Sequence, residues 1–160
     1  MRTDGLRKAQ FLALAVPLAL IAGALGSQLF GGLVPCEMCH WQRWPHYAAI
    51  IVAALSFAVP HRPTRMLFVL FAAVLIALSG GIGIFHAGVE YHWWPGITPC
   101  STDVKHGDPM QILMEQIGKP LIRCDAAQWE LFGISLAGFN AIISLSGAIA
   151  VFALAVRRAR

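Results

Sequence analysis

Apolar residues along the chain fall into four long runs, which polar segments separate. The runs cover residues 11–30, 44–60, 66–89 and 131–156. Each run approaches or exceeds the roughly 20 residues that a helix needs to cross the hydrocarbon core of a bilayer. The second run is the shortest, so its signal is the weakest. The pattern predicts an all-α membrane protein, built as a bundle of four transmembrane helices.

Residues 90–130 form the one sizeable polar region, and we expect them to make a long outer loop. Pro95, Gly96 and Pro99 break its first half, so this half cannot span a membrane as a helix. No internal repeat, low-complexity tract or linker divides the chain. Residues 1–160 are therefore predicted to form a single integral membrane domain.

A short amphipathic helix is predicted inside this loop. Asp108 is a suitable N-cap, Pro109 suits the first helical position, and Gly118 suits the end. The apolar residues that then share one face are Met110, Leu113, Met114 and Ile117. Such a helix either lies on the membrane surface near the first cysteine pair or packs on the bundle as an ordinary amphipathic helix.

The composition and the distribution of charge support a membrane protein and give it an orientation. Hydrophobic residues make up 58% of the chain and charged residues 12%, against about 25% charged in a soluble domain. Most basic residues lie before the first run, between the second and third, or after the fourth. These are Arg2, Arg7, Lys8, Arg62, Arg65, Arg157, Arg158 and Arg160. Basic residues in short loops stay in the cytoplasm, so both termini are predicted to be cytoplasmic. The net charge of +4 thus reports orientation and gives no reason to expect a nucleic-acid partner.

The first run also resembles the start of a cleaved signal peptide. A basic segment precedes it, and the small residues Ala22 and Ala24 mimic a cleavage site. The run continues to Phe30, which is long for a signal peptide, so an uncleaved span is the preferred interpretation. The cysteines stay on the same side of the membrane in either case.

All four cysteines, Cys36, Cys39, Cys100 and Cys124, are predicted on the side of the membrane opposite the cytoplasm. Thiols outside the cytoplasm usually form disulfides, and four cysteines allow three pairings. Pairing within each loop is the simplest. By loop entropy, the short Cys36–Cys39 ring contributes about 2 kcal/mol and the long Cys100–Cys124 ring about 3.5 kcal/mol. The short pair therefore gains less as a structural bridge, and a CxxC spacing favours exchange chemistry.

The segment CEMCHWQR at residues 36–43 adds a fixed positive charge to this cysteine pair. Arg43 follows Cys39 by four residues, which places the two side chains on one helical face about one turn apart. A cation there stabilises a Cys39 thiolate and can hydrogen-bond a carbonyl oxygen that gains charge. The alternative is an interfacial arginine that reaches lipid phosphate. Pro45 favours a helix that begins between Trp41 and Trp44, since proline is tolerated in the first turn.

Together these motifs resemble the DsbB family, the quinone-dependent disulfide bond formation proteins of bacterial inner membranes. The resemblance covers essentially the whole chain. It includes four spans, an early CxxC with arginine at the fourth position after it, and a second cysteine pair in a long outer loop. An aromatic–glycine start of the last span, here Trp129 and Gly133 after Cys124, completes it.

The resemblance implies a relay through two cysteine pairs. A thiol of a periplasmic thioredoxin-fold dithiol oxidase (DsbA-like) attacks Cys100, which frees Cys124 to attack Cys36. Cys39 then becomes the thiolate that faces the quinone. The implied catalytic residues are Cys36, Cys39, Cys100 and Cys124, with Arg43 at the quinone. The implied cofactor is ubiquinone or menaquinone, no metal is expected, and membrane lipid surrounds the site.

Three other interpretations compete with this relay. The sequence CEMCH at residues 36–40 is the attachment signature of a c-type haem, and His46 and His86 are possible ligands of further haem. A vitamin K epoxide reductase-like enzyme also couples thiols to quinones, but its CxxC belongs near the last span, the reverse of the order here. A non-catalytic membrane scaffold would use both cysteine pairs as structural bridges.

Overall fold

A computed structural model describes residues 4–98, 100, 110 and 122–157. Within these residues the chain forms four long helices, α1 (Asp4–Leu29), α2 (Glu37–Ala58), α3 (Arg62–Glu90) and α4 (Leu136–Val156). A hairpin of two short strands, β1 (Glu130–Leu131) and β2 (Ile134–Ser135), precedes α4. By length and composition, α1, α3 and α4 are able to cross a membrane. The predicted helix of the outer loop falls outside the described residues.

The start of α2 differs from the predicted one. The helix begins at Glu37, because Cys36 occupies the N-cap and its Sγ accepts a hydrogen bond from the Cys39 N–H at 3.2 Å. Pro45 therefore lies in the helix interior, and the expected start between Trp41 and Trp44 is wrong. A capped first turn thus precedes the proline, and it contains Cys39.

The start of α4 also differs, since the helix begins at Leu136 and not at residue 131. Ser135 is its N-cap and accepts a hydrogen bond from the Gly138 N–H at 3.1 Å. The residues before it form the antiparallel hairpin, whose turn places Phe132 and Gly133 at positive φ. The Tyr91 hydroxyl donates to the Gly133 carbonyl and accepts from the Ser135 N–H. The hairpin is thereby attached to the end of α3.

Small residues fill the interior of the bundle and large apolar residues cover its outside. The helix α3 packs most extensively against α4 and α2, while α1 packs against α2 and α4. Buried positions include Ala9, Ala13, Ala53, Ala72 and Val151. The exposed large side chains include Phe11, Ile51, Leu67, Ile149 and Phe152. Small residues inside and large apolar residues outside are typical of helices that pack closely in lipid.

Candidate functional site

The structure brings all four predicted cysteines together at one end of the bundle. Cys36 and Cys124 are buried in one apolar cluster, and Cys39 and Cys100 pack against it. Cys100 and Cys124 form a disulfide, whereas Cys36 and Cys39 are free, with their sulfurs 2.8 Å apart. A disulfide and a dithiol therefore lie side by side in the same cluster.

The two sulfurs of the dithiol have different environments. The Cys36 thiol donates to the Cys39 sulfur, and this hydrogen bond lowers the pKa of Cys39 although burial opposes it. A smaller lowering of the Cys39 pKa comes from the positive charge of Arg43. The same hydrogen bond, together with burial, raises the pKa of Cys36. Cys39 is therefore the member of the pair that favours the thiolate.

Arg43 lies one turn after Cys39 on α2, as the spacing predicts. Its Nη1 donates to Oε1 of Gln28, which lies near the end of α1. This contact joins the two helices and holds the guanidinium near the dithiol. The arginine thus has a hydrogen-bond partner within the protein.

A histidine that sequence reasoning could not assign lies directly behind the dithiol. His86 on α3 is 2% exposed, and its Nε2 lies 3.6 Å from the Cys36 sulfur and 3.7 Å from Oε1 of Glu90. The ring also faces the main chain of Cys124. Its Nδ1 lies 2.7 Å from Nε2 of Gln42. His86 thus touches both cysteine pairs, and the signal that could have found it is a polar residue deep in an apolar helix.

An apolar cavity adjoins the dithiol. Its volume is about 320 Å³, and segments from all four helices contribute to its wall. Most of the lining is apolar, including Leu20, Ile21 and Phe139. Its polar lining includes Cys39, Arg43, His86 and Glu90. The volume falls within the range of small-molecule sites, about 300–1,000 Å³.

Cys36, Cys39 and His86 also meet the distance requirement of a metal site. Two sulfurs and one ring nitrogen lie within 4.8 Å of one another. Zinc prefers such soft donors, provided that the ring nitrogen facing it has a free lone pair. The hydrogen bonds of His86 therefore decide whether the cluster suits a metal.

Comparison with known proteins agrees with this geometry. A family model described as disulfide bond formation protein DsbB matches residues 6–155. This chain belongs to the DsbB family. A disulfide bond formation protein B of Polaromonas sp. is 29% identical over 149 residues, which cover 89% of this chain and 86% of the relative. Its counterpart in Aromatoleum aromaticum is 28% identical over 162 residues and 94% of each chain. No solved structure matches the chain significantly.

A third relative matches over a shorter segment at a higher identity. A disulfide bond formation protein B of Neisseria meningitidis serogroup A is 35% identical over 103 residues, 64% of this chain and 61% of the relative. As a DsbB-family member with three membrane-capable helices, the protein is a disulfide-forming oxidoreductase of the bacterial inner membrane. The family match does not favour the c-type cytochrome or the vitamin K epoxide reductase-like enzyme.

Proposed function

We propose that this protein reoxidises a periplasmic thioredoxin-fold dithiol oxidase, of the DsbA type, and passes the electrons to membrane quinone. The observation that carries the proposal is the cluster in which the Cys100–Cys124 disulfide adjoins the Cys36–Cys39 dithiol, beside an apolar cavity. Two cysteine pairs in contact form a path for electrons from the outer loop to the bilayer. The four cysteines are the proposed catalytic residues.

The burial of the loop disulfide supports an order of attack. Cys124 is 0% exposed, whereas Cys100 is half-buried. A thiolate of the partner therefore reaches the Cys100 sulfur, and its attack forms a mixed disulfide and releases Cys124 as a thiolate. Cys124 then attacks Cys36 of the Cys36–Cys39 disulfide, and the electron pair leaves on Cys39. Each step exchanges one disulfide bond for another.

The asymmetry of the dithiol supports Cys39 as the end of the relay. A thiolate with a lowered pKa is the better leaving group, and Cys39 has this property in the structure. Cys39 and Arg43 both line the cavity. Electrons that arrive through Cys36 thus collect on the sulfur that faces the cavity.

The cavity fits a quinone in chemistry and in size. A quinone ring requires an apolar slot and a hydrogen-bond donor at its carbonyl oxygen, and the apolar lining and the Arg43 guanidinium provide these. Bound ubiquinone or menaquinone would accept the two electrons and two protons of the dithiol. Arg43 would orient the ring and stabilise negative charge on its oxygen. The apolar wall would exclude water.

The proposal includes the placement of the chain in the membrane. Residues 1–160 form one membrane domain in which residues 44–60, mostly within α2, are the second of four spans. The chain termini are cytoplasmic and the cysteines periplasmic, in line with Arg62 and Arg65 at the opposite end of α2 from Cys36. The packing of α2 against α1 and α3 supports its role as a span.

A reconstituted reaction tests the function. Purified protein is mixed with ubiquinone and a reduced thioredoxin-fold partner, and quinone absorbance is followed in the wild type and in Cys100→Ser. We expect thiol-dependent reduction by the wild type and a loss of about 100-fold or more in the variant, which lacks the attacked disulfide. No reduction by the wild type would contradict the function, and undiminished turnover by Cys100→Ser would contradict the order of transfer. A Soret band in the purified protein would support the cytochrome instead.

A further inference from the structure

His86 belongs to a chain of hydrogen bonds that crosses the bundle from α3 through α2 to α4. Gln42 Nε2 lies 2.7 Å from His86 Nδ1, and Asn140 Nδ2 donates to Gln42 Oε1 at 2.8 Å. Gln42 is 6% exposed, and Asn140 is partly buried. Polar side chains at this depth need internal partners, since lipid supplies none.

Two main-chain carbonyls fix which way the amides point. Gln42 Nε2 also donates to the Met38 carbonyl at 3.3 Å, and Asn140 Nδ2 also donates to the Ser79 carbonyl at 3.3 Å. A carbonyl oxygen only accepts hydrogen bonds, so the NH₂ group of each amide, and not its oxygen, must face the main-chain carbonyl. Reversing the Gln42 amide would set Oε1 against the Met38 oxygen and Nε2 against Asn140 Nδ2. The network therefore determines the orientation of the Gln42 amide and, through it, the roles of the His86 ring nitrogens.

We propose that Gln42 and Asn140 are positioning residues that hold His86 in the tautomer with its proton on Nε2, directed at the Cys36 sulfur. Gln42 Nε2 is a donor, so His86 Nδ1 must accept and carries no proton. The proton of the neutral ring then resides on Nε2, which faces the Cys36 sulfur, Glu90 Oε1 and the main chain of Cys124. The catalytic meaning of this arrangement rests on the proposed function, whereas the tautomer itself does not.

The same network determines the tautomer of the second buried histidine, His46, which gives a check on its consistency. Asn140 Oδ1 accepts from Ser144 Oγ and lies 3.0 Å from His46 Nε2. His46 Nε2 must therefore donate, which leaves its Nδ1 without a proton. Among the described residues, His46 Nδ1 is buried and has no hydrogen-bond partner. This is the atom that the deduced tautomer leaves as a bare lone pair.

In the relay, an Nε2–H donor acts on Cys36 as a leaving group. The second thiol of the partner first attacks the mixed disulfide, which completes the partner's own disulfide and releases Cys100 as a thiolate. When this thiolate attacks Cys124 in the Cys124–Cys36 disulfide, the Cys100–Cys124 bond forms and the electron pair departs on Cys36. A hydrogen bond from His86 stabilises that thiolate and speeds its departure. With the proton on Nε2, the ring offers Cys36 a hydrogen-bond donor, and a metal bound through this nitrogen in the Cys36–Cys39–His86 cluster would have to displace that proton.

Nitrogen NMR of the histidine rings tests the tautomer directly. The reduced full-length protein is labelled with ¹⁵N-histidine in detergent, and the His86 signals are those lost in His86→Gln. We expect an unprotonated Nδ1 and a protonated Nε2 for His86, and the same pattern for His46. A protonated Nδ1 on neutral His86 would overturn the proposal, whatever the activity of the protein.

Two substitutions at Gln42 show whether its amide determines the tautomer of His86. Gln42→Glu keeps the shape and the acceptor for Asn140 but replaces the donor, so His86 Nδ1 should gain a proton. Gln42→Leu removes both polar groups, so both tautomers should be populated. Gln10→Leu is the matched control, because Gln10 is also a buried helix glutamine but bonds Ser56. An unprotonated Nδ1 that persists in Gln42→Glu would refute the positioning role.

The effect on Cys36 is measured by alkylation in a Cys39→Ser background, which retains the Cys100–Cys124 bridge. We expect Gln42→Leu to slow alkylation of Cys36 about tenfold at neutral pH, since a hydrogen-bond donor to the thiolate is weakened. The rise of the alkylation rate with pH should shift to higher pH. Gln10→Leu should leave the profile unchanged. An unchanged profile in Gln42→Leu would contradict the role of the network at Cys36. A confirmed tautomer without thiol-dependent quinone reduction would refute the proposed function alone.

Discussion

At the scale of single residues, the position of each sulfur on α2 decides its chemistry. Cys36 caps the helix and lies outside it, whereas Cys39 lies in the first turn and receives the Cys36 thiol hydrogen bond. Helix N-termini favour negative charge, so the helix favours a Cys39 thiolate as well. The two thiols of one CxxC thus differ before any partner or quinone arrives.

Cys36→Ala should raise the pKa of Cys39, because the substitution removes the thiol that donates to it. In the reduced wild type, a lowered pKa keeps Cys39 ionised and reactive below the ordinary thiol range of about 8.5. In the variant, Cys39 should lose its reactive thiolate at a higher pH than in the wild type. Alkylation of Cys39 at neutral pH should therefore slow. The measurement is the rate of Cys39 alkylation against pH by mass spectrometry. Superimposable profiles would show that Cys36 does not control Cys39.

Arg43→Met should weaken quinone use, because it removes a charged donor from the cavity while keeping a long apolar side chain. We expect the KM for ubiquinone to rise about tenfold or more, with Arg43→Lys intermediate. The matched control is Arg65→Met, since Arg65 donates to the Val59 and Pro60 carbonyls between α2 and α3. Quinone titrations of all three variants measure the effect. An equal rise in Arg65→Met would point to a general structural cause.

At the scale of helices, close packing of α3 on α4 positions the network. A Cβ on Gly83 would lie 3.0 Å from the Ala137 carbonyl oxygen and 3.1 Å from the Ala141 nitrogen. Both atoms are backbone, so they cannot move aside without shifting the helix. Asn140 Nδ2 lies as close to the same point. Glycine at this position therefore lets α4 bring Asn140 within reach of Gln42.

Gly83→Ala should destabilise the protein by about 1–3 kcal/mol, the usual cost of overpacking a tight contact. Gly81→Ala on the same helix is the matched control, because no atom lies within 4 Å of its added Cβ. The control should be neutral or stabilising by up to about 1 kcal/mol. Thermal unfolding in detergent compares the two variants. Equal stability would show that α3 and α4 can separate without cost.

At the scale of the whole molecule, the distribution of charge supports the proposed orientation in the membrane. Arg62 and Arg65 lie in the first turn of α3, beside the α2–α3 turn, and the cysteines lie at the opposite end of the bundle. The positive charge disfavours translocation of the turn. In the proposed orientation, the dithiol lies in the compartment where disulfides persist.

Labelling of introduced cysteines tests this orientation. In a Cys36→Ser/Cys39→Ser background, the native loop bridge leaves no free thiol. Ile97→Cys, at a 70% exposed position, should react with an impermeant maleimide in cells with a permeabilised outer membrane. His61→Cys, in the α2–α3 turn, should react only after the inner membrane is opened. The reverse pattern would invert the proposed topology.

The sequence alone predicts the features that follow from local composition and spacing. Apolar run length predicted the helices, and CxxC with Arg43 one turn away predicted the dithiol and its charge. The helix starts were predicted less well, because Cys36 and Ser135 cap α2 and α4 through side-chain contacts that the apolar pattern does not report. The first residue of a helix depends on a single capping hydrogen bond, whereas the existence of the helix depends on the apolar pattern of many residues.

Only the tertiary structure decided which residues from different helices meet. Gln42, His86 and Asn140 lie on three helices and are far apart in sequence, so no spacing rule connects them. Their contact depends on how closely α3 and α4 approach and on the register of α2 between its neighbours. The sequence thus determined that the protein is a membrane-embedded dithiol protein with two cysteine pairs. The packing decided that His86 lies behind Cys36 and which of its ring nitrogens faces the sulfur.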